Sequence, residues 1–146
     1  MNPDLQELVT AARDERSHSY SPYSGFRVGA ALRGASGRIY LGTNVENASF
    51  GLAICAERSA VVQAVSAGET SFTGIAVCAD GPAPTAPCGA CRQVLLEFAP
   101  DMPVVLAGED GLAGELIETT VAALMPHAFF DFRDQLQARR DEGDDR

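Results

Sequence analysis

The stretch TGIAVCAD, residues 73–80, decides the fold, because it is almost entirely apolar and is bounded by Gly and Asp. A run of this kind is typical of a strand that is buried on both faces. On its amino-terminal side, CAERSAVVQAVSA (55–67) has a helical apolar stripe, and Gly68 is a natural helix stop. On its carboxy-terminal side, a proline-rich loop leads to a helix that begins near Cys88 or Gly89 and continues through CRQVLLEFA. A buried strand between two helices predicts an α/β arrangement.

The amino-terminal third adds one helix and a hairpin. Residues 3–18 begin with a proline and place apolar residues at helical intervals, so they predict an amphipathic helix. SYSPYSGF (19–26) is rich in turn-forming residues and predicts a loop. VGAALRG (28–34) and RIYLGTNV (38–45) predict two strands joined by a short turn.

The carboxy-terminal part contributes two more strands, PVVLAG (103–108) and GELIETT (114–120), and a helical turn before Pro126. The predicted order is α-β-β-α-β-α-β-β. This order favours a three-layer α/β (or α+β) sandwich, in which helices flank a mixed five-stranded sheet. We expect one domain over residues 1–136 and a frayed, charged tail over residues 137–146.

Composition narrows the class of function. The 146 residues include 20 acidic and 11 basic side chains, which give a formal net charge of −9. A nucleic-acid-binding protein normally carries a basic surface, so small neutral or cationic substrates fit this chain better. No apolar run approaches the roughly 18 residues of a membrane span, and the start MNPDLQELV has no basic, apolar export signal. We therefore expect a cytoplasmic protein without a membrane or nucleic-acid partner.

The two cysteines in PCGACRQ (87–93) raise the question of which chemical role they have. Cys88 and Cys91 stand three positions apart, a spacing that suits a disulfide, a redox pair, half of a metal site or core packing. Without an export signal, a disulfide is disfavoured. Cys55 begins the preceding helix, so all three thiols would lie near helix amino termini, which favour thiolates. Three sulfur ligands predict one Zn²⁺ whose fourth position is open to water, whereas Cys78 reads as a small buried residue.

Two charged residues follow Cys55. Glu57 lies about 200° from Cys55 on a regular helix, but a first-turn carboxylate can still reach the same cavity and exchange a proton with a zinc-bound water. Arg58 would donate to the thiolates as an outer-shell residue and withdraw negative charge from them. The structural alternatives are a glutamate favoured by the helix dipole and an exposed helix arginine.

The combination of Cys-Ala-Glu with Pro-Cys-Gly-Ala-Cys-Arg-Gln resembles the zinc-dependent cytidine deaminases. The zinc-deaminase signature is H-x-E followed by P-C-x-x-C, with the glutamate as acid and base; here Cys55 replaces the histidine. Ligation by three cysteines resembles the short, homotetrameric branch that acts on free nucleosides, and the likeness covers roughly residues 15 to 132. It implies hydrolytic deamination of cytidine and 2′-deoxycytidine in pyrimidine salvage. Zinc would activate the water that attacks C4, and Glu57 would carry the proton.

The same resemblance implies the substrate contacts. NVENASF (44–50) is similar to the ribose-binding segment of the family, which places Asn44 and Glu46 on sugar hydroxyls. PYSGFRVGAAL is similar to the stretch in which Phe26 would pack against the pyrimidine. LMPHAFF resembles the segment whose aromatic side chain, Phe129 or else Phe130, would enter the site of a neighbouring subunit. The backbone N–H of Ala56 and the carbonyl of Cys88 or Gly89 would contact the base.

Three alternatives stay open on the sequence. One is a deaminase of another cytosine compound, such as the blasticidin S deaminases, although these look different in the segment that here contains Asn44 and Glu46. Another is a structural domain held by zinc, which predicts four protein ligands. The third is dithiol redox chemistry at Cys88 and Cys91, which would need neither Cys55 nor Glu57.

Overall fold

The computed structural model describes residues 1–130 and 132–143. Its four α-helices are α1 Pro3–Glu15, α2 Ala56–Ser66, α3 Gly89–Phe98 and α4 Phe132–Asp141. Its five strands are β1 Val28–Gly34, β2 Ile39–Thr43, β3 Phe72–Ala79, β4 Pro103–Ala107 and β5 Leu116–Thr120. Short 3₁₀ turns cover Arg16–His18, Phe50–Leu52, Gly111–Ala113 and Ala122–Leu124.

The strands form one sheet in the order β2-β1-β3-β4-β5. Only β3 and β4 run parallel, with α3 as the connection between them, and the other neighbouring pairs are antiparallel. This is the predicted mixed sheet of five strands. Residues Ile75 to Ala79 of β3 are buried, as the apolar run predicted, because helices cover both faces of the sheet.

Each face of the sheet has its own core. On one face, α1 packs Leu8, Val9 and Ala12 against alternate residues of the central strands. On the other face, α2 and α3 pack with the opposite set of strand residues, including Ile75 and Val77. The result is the predicted three-layer α-β-α sandwich. Cys78 belongs to the α1 side, is fully buried and donates its thiol hydrogen to the Gly108 carbonyl oxygen over 2.9 Å, so it is indeed a core residue.

The structure corrects the end of one predicted helix and adds one helix that was not predicted. The first α-helix stops at Glu15 and continues to His18 only as a 3₁₀ turn. Sequence patterns also did not predict α4, whose ten residues include no buried side chain. This helix extends to Asp141, into the segment 137–146 that we expect to fray, and residues 144–146 lie outside the described part. The frayed tail stays a prediction.

Candidate active site

Three thiols meet where α2 and α3 begin. Cys55 and Cys88 are the residues immediately before α2 and α3, with extended backbone, and neither side chain caps its helix. Cys91 lies one turn into α3 and is buried. The Sγ atoms of Cys55 and Cys88 are 3.7 Å apart, and those of Cys88 and Cys91 are 3.4 Å apart. All three Sγ atoms lie within 4.8 Å of one another.

The spacing of the thiols fits a zinc ion. Zinc binds thiolate sulfur at about 2.3 Å with tetrahedral geometry, so its ligands are separated by about 3.8 Å, close to the observed sulfur separations. Within residues 1–130 and 132–143, this trio is the one cluster of at least three His, Cys, Asp or Glu ligand atoms. Among the described residues the cluster has three ligand atoms and no fourth, which is typical of a catalytic zinc site and differs from a closed structural one.

Arg58 is half-buried and contacts the thiols. Its Nη2 atom donates to the Cys55 sulfur over 3.4 Å. Hydrogen bonding from the Cys91 thiol, followed by that from Arg58, lowers the pKa of Cys55 to about 5. The hydrogen bond between Cys91 and Cys55, together with burial, raises the pKa of Cys91. Arg58 is thus paired with the Cys55 sulfur, and the alternative of a solvent-exposed helix arginine does not describe it.

Glu57 shares the site with the thiols. Its side chain is only 5% exposed, and its Oε2 atom is 3.6 Å from the Cys91 sulfur. Burial raises the pKa of this carboxyl group. The regular-helix angle between Cys55 and Glu57 does not apply, because Cys55 lies before the helix in an extended conformation. Glu57 thus faces the cavity that Cys55 and Cys88 border.

A cavity of about 370 Å³ adjoins the thiols. It lies where β3 ends and β1 begins, at the carboxyl edge of a strand where open α/β sheets commonly bind ligands. Its volume is within the range of small-molecule sites. The structure brings Phe26, Asn44, Glu46 and Ala56 to its wall together with Cys55, Glu57, Arg58 and Cys88; Cys91 lies outside this lining. Sequence reasoning missed its remaining lining, which is mostly apolar: Val28, Ala53, Ile54, Val77, Ala79, Thr85 and Ala86.

Asn44 is held by the protein itself. Its Oδ1 atom accepts from the Val28 N–H over 2.9 Å and from the Ser19 hydroxyl, and its Nδ2 atom donates to the Phe26 carbonyl oxygen over 2.7 Å. An amide oxygen has two lone pairs and an amide nitrogen has two hydrogens. One N–H therefore remains for a ligand, so Asn44 can donate to a ligand but has no free lone pair with which to accept from one.

Phe129 lies away from the cavity of its own chain. It is 68% exposed, and Gln93 Nε2 donates to its carbonyl oxygen over 2.8 Å. Together with Phe130 and residues of α3 and α4 it borders a second, smaller hollow of about 220 Å³. Neither aromatic ring is among the residues that line the thiol cavity of this chain.

Two groups expected near the base occupy the helix starts. Ala56 is buried and is the first residue of α2, where a backbone N–H has no intrahelical acceptor. The Cys88 carbonyl oxygen accepts the N–H of Arg92 over 3.0 Å, which leaves one lone pair.

No helix among the described residues is long and apolar enough to cross a membrane.

Comparison with known proteins gives a consistent result. The family model of the cytidine and deoxycytidylate deaminase zinc-binding region matches residues 2–107. A cytidine deaminase of Sporosarcina psychrophila is 48% identical over 127 residues, which are 86% of this chain and 91% of that protein. One from Halalkalibacterium halodurans is 47% identical over 126 residues, 86% of this chain and 94% of that protein. The crystal structure of cytidine deaminase from Burkholderia pseudomallei superposes with a TM-score of 0.80 at 44% identity, covering 88% of this chain and all of that one.

Proposed function

We propose that this chain, which belongs to the zinc-binding family of cytidine and deoxycytidylate deaminases, hydrolyses cytidine and 2′-deoxycytidine to uridine and 2′-deoxyuridine with release of ammonia. One observation carries the proposal. Cys55, Cys88 and the buried carboxyl group of Glu57 border the same cavity as Asn44 and Glu46, and the Cys91 sulfur lies 3.4 Å from that of Cys88 in the same thiol cluster. The comparisons do not favour the alternative, a deaminase of another cytosine compound such as blasticidin S.

Cys55, Cys88 and Cys91 would hold the zinc, which when bound acts as a Lewis acid and lowers the pKa of a water molecule. Glu57 would take one proton from the attacking water as its oxygen bonds to C4 of the cytosine ring, and would pass this proton to N3. It would then take the second proton, from the hydroxyl now on C4, and pass it to the amino group, so that the C4–N bond breaks, the C4 carbonyl forms and ammonia leaves. The raised pKa of this buried carboxyl suits a group that must both accept and return a proton. Arg58 offsets part of the negative charge of the thiolates.

Polar groups at the other end of the cavity would position the nucleoside. The free N–H of Asn44 and the carboxylate of Glu46 are suited to the sugar hydroxyls, and Phe26 provides an aromatic face for the pyrimidine. Glu46 would also repel a phosphate group, so nucleosides should be preferred to nucleotides. Ala56 N–H and the remaining lone pair of the Cys88 carbonyl would contact the base.

A substrate panel tests this function. Purified, zinc-loaded protein would be assayed by absorbance with cytidine, 2′-deoxycytidine, CMP and a short cytosine-containing oligonucleotide. We expect turnover of both nucleosides and much weaker activity on CMP and the oligonucleotide. Preferential turnover of the oligonucleotide would refute a free-nucleoside deaminase. Turnover of blasticidin S in preference to cytidine would favour the alternative.

The assembly proposed for this function is a homotetramer with active sites shared between subunits. Large apolar side chains are strongly exposed in the single chain, with Phe50 at 75%, Leu52 at 70% and Phe129 at 68%. Phe50 packs against the exposed Tyr23, and Phe129 packs against the exposed Phe132; contiguous exposed apolar side chains mark interaction surfaces. Analytical ultracentrifugation of the wild-type protein tests the assembly, and Phe129→Ala, assayed for activity at unchanged oligomeric state, tests the shared site.

The proposed location is the cytoplasm and the proposed role is pyrimidine salvage. Four free cysteines, three of them in the candidate zinc site, are compatible with a reducing compartment, where thiols stay reduced. The reaction would return the base and sugar of cytidine as uridine. Growth of a pyrimidine auxotroph on cytidine, with and without the active gene, tests this role.

A further inference from the structure

We propose that Ser24 is a positioning residue, which holds the carboxylate of Glu46 so that a single lone pair of that carboxylate is directed toward the sugar. The inference rests on the proposed function, because it concerns how the same cavity recognises a nucleoside. Ser24 lies in the turn-rich loop 19–26, and its hydroxyl and backbone N–H both contact Glu46 although 22 positions separate the two residues.

Hydrogen bonds within the loop fix the direction of the serine hydroxyl. The Phe26 N–H donates to Ser24 Oγ over 3.0 Å, so this oxygen acts there as an acceptor. The hydroxyl hydrogen is then directed to Oε2 of Glu46. Ser24 thereby connects the carboxylate expected to contact the sugar with the aromatic residue expected to contact the base.

The carboxylate of Glu46 is nearly saturated by the protein. Oε1 accepts the backbone N–H groups of Tyr23 and Ser24, at 3.0 and 3.1 Å, and Oε2 accepts the Ser24 hydroxyl. Each carboxylate oxygen has about two acceptor positions, so one position on Oε2 remains. The same contacts, chiefly the Ser24 hydroxyl, lower the pKa of Glu46 and keep it an acceptor only.

The backbone holds both segments in place. Tyr20 donates its N–H to the Asn44 carbonyl over 3.1 Å and accepts the Glu46 N–H over 2.8 Å. Asn44 has one free N–H and Glu46 has one free lone pair, so together they suit one hydroxyl that donates to Glu46 and accepts from Asn44. In the proposed function this is the 3′-hydroxyl, and the 2′-hydroxyl is left without a partner on these two residues.

The test removes only the serine hydroxyl. Ser24→Ala would be compared with the wild type on cytidine, 2′-deoxycytidine and 3′-deoxycytidine, with kcat and KM determined separately. We expect KM for cytidine and 2′-deoxycytidine to rise about tenfold, the lower end for losing a hydrogen bond to a charged group, with kcat less affected. For 3′-deoxycytidine the variant and wild type should agree within about twofold.

Two variants control for general damage to the loop. Ser24→Thr keeps a hydroxyl at an exposed position and should restore the wild-type values. Ser36→Ala removes a serine hydroxyl that donates to another carboxylate, Glu69 Oε2, over 2.8 Å outside the cavity lining, and should change the kinetics of none of the three substrates. Titration of the Glu46 carboxyl by ¹³C NMR should show a higher pKa in Ser24→Ala than in the wild type.

An equal loss on 3′-deoxycytidine, or an unchanged Glu46 titration in Ser24→Ala, would overturn this positioning role. Failure of the wild-type protein to deaminate cytidine would instead refute the proposed function. In that case the NMR titration still decides whether Ser24 controls the Glu46 carboxylate, so the two failures can be told apart.

Discussion

The close contact between Gly42 of β2 and the first turn of α2 allows a sharp test of how the fold positions the active site. A Cβ atom at residue 42 would lie 2.3 Å from the Ala56 carbonyl oxygen and 2.4 Å from the Ala60 nitrogen. Non-bonded heavy atoms pack at about 3.5 Å, so Gly42→Ala must move the helix start by about 1 Å. That start follows Cys55 and contains Glu57.

The expected consequence is a larger loss of activity than of stability. Overpacking of this size usually costs about 1–3 kcal/mol in the free energy of unfolding. A displacement of about 1 Å at catalytic groups can lower activity about 100-fold. We therefore expect kcat/KM for cytidine to fall about 100-fold in Gly42→Ala, with a folded protein and reduced zinc content.

Gly29→Ala is the matched control. Its Cβ would lie 2.1 Å from the Ala12 carbonyl oxygen and 2.7 Å from the Arg16 nitrogen, so it displaces α1 on the opposite face of the sheet. It should lose a similar free energy of unfolding in urea but keep kcat/KM within a few-fold. Equal activity losses in the two variants, or full activity in a destabilised Gly42→Ala, would refute the idea that this contact sets the position of the site.

Further predictions concern the metal. Cys91→Ala should lose nearly all bound zinc. Cys78→Ala should keep one zinc per chain and lose only about 1 kcal/mol of the free energy of unfolding, since Cys78 makes one buried hydrogen bond on the other face of the sheet. Metal analysis and urea unfolding check both variants, and zinc loss in Cys78→Ala would contradict the assignment. Arg58→Gln should reduce zinc affinity or activity about 10- to 100-fold, because it removes the donor to the Cys55 thiolate. Competition with a chelator measures the affinity, and unchanged affinity together with unchanged kcat would show that the contact has no role.

The sheet and its two flanking layers could be predicted because their signals are local. The apolar run in β3 and the apolar stripes of α1, α2 and α3 can be read in the sequence, because the order of apolar and polar residues in each segment shows which of its faces is buried. The cysteine positions followed in the same way, since both thiol-bearing segments begin helices.

Other features depend on contacts between distant segments or lack burial. No pattern in PYSGF indicates that Ser24 contacts Glu46, since the contact exists only after the loop lies against residues 44–46. The apolar cavity wall from Val77 and Ala79 looked like ordinary strand core. Helix α4 was missed because its sequence is mostly polar and charged and it buries no side chain. A side-chain hydrogen bond from Gln137 to Asp141, over 2.8 Å, supports this helix.

Zinc content and cytidine turnover, measured together for the wild type and Glu57→Gln, test the central claim most directly. The account predicts one zinc per chain in both proteins, equal stability toward urea, and a kcat lower by about 10² to 10⁴ or more in the variant, the scale expected for loss of a general acid and base. Near-normal turnover by Glu57→Gln, or a wild-type protein that binds no zinc at Cys55, Cys88 and Cys91, would contradict it.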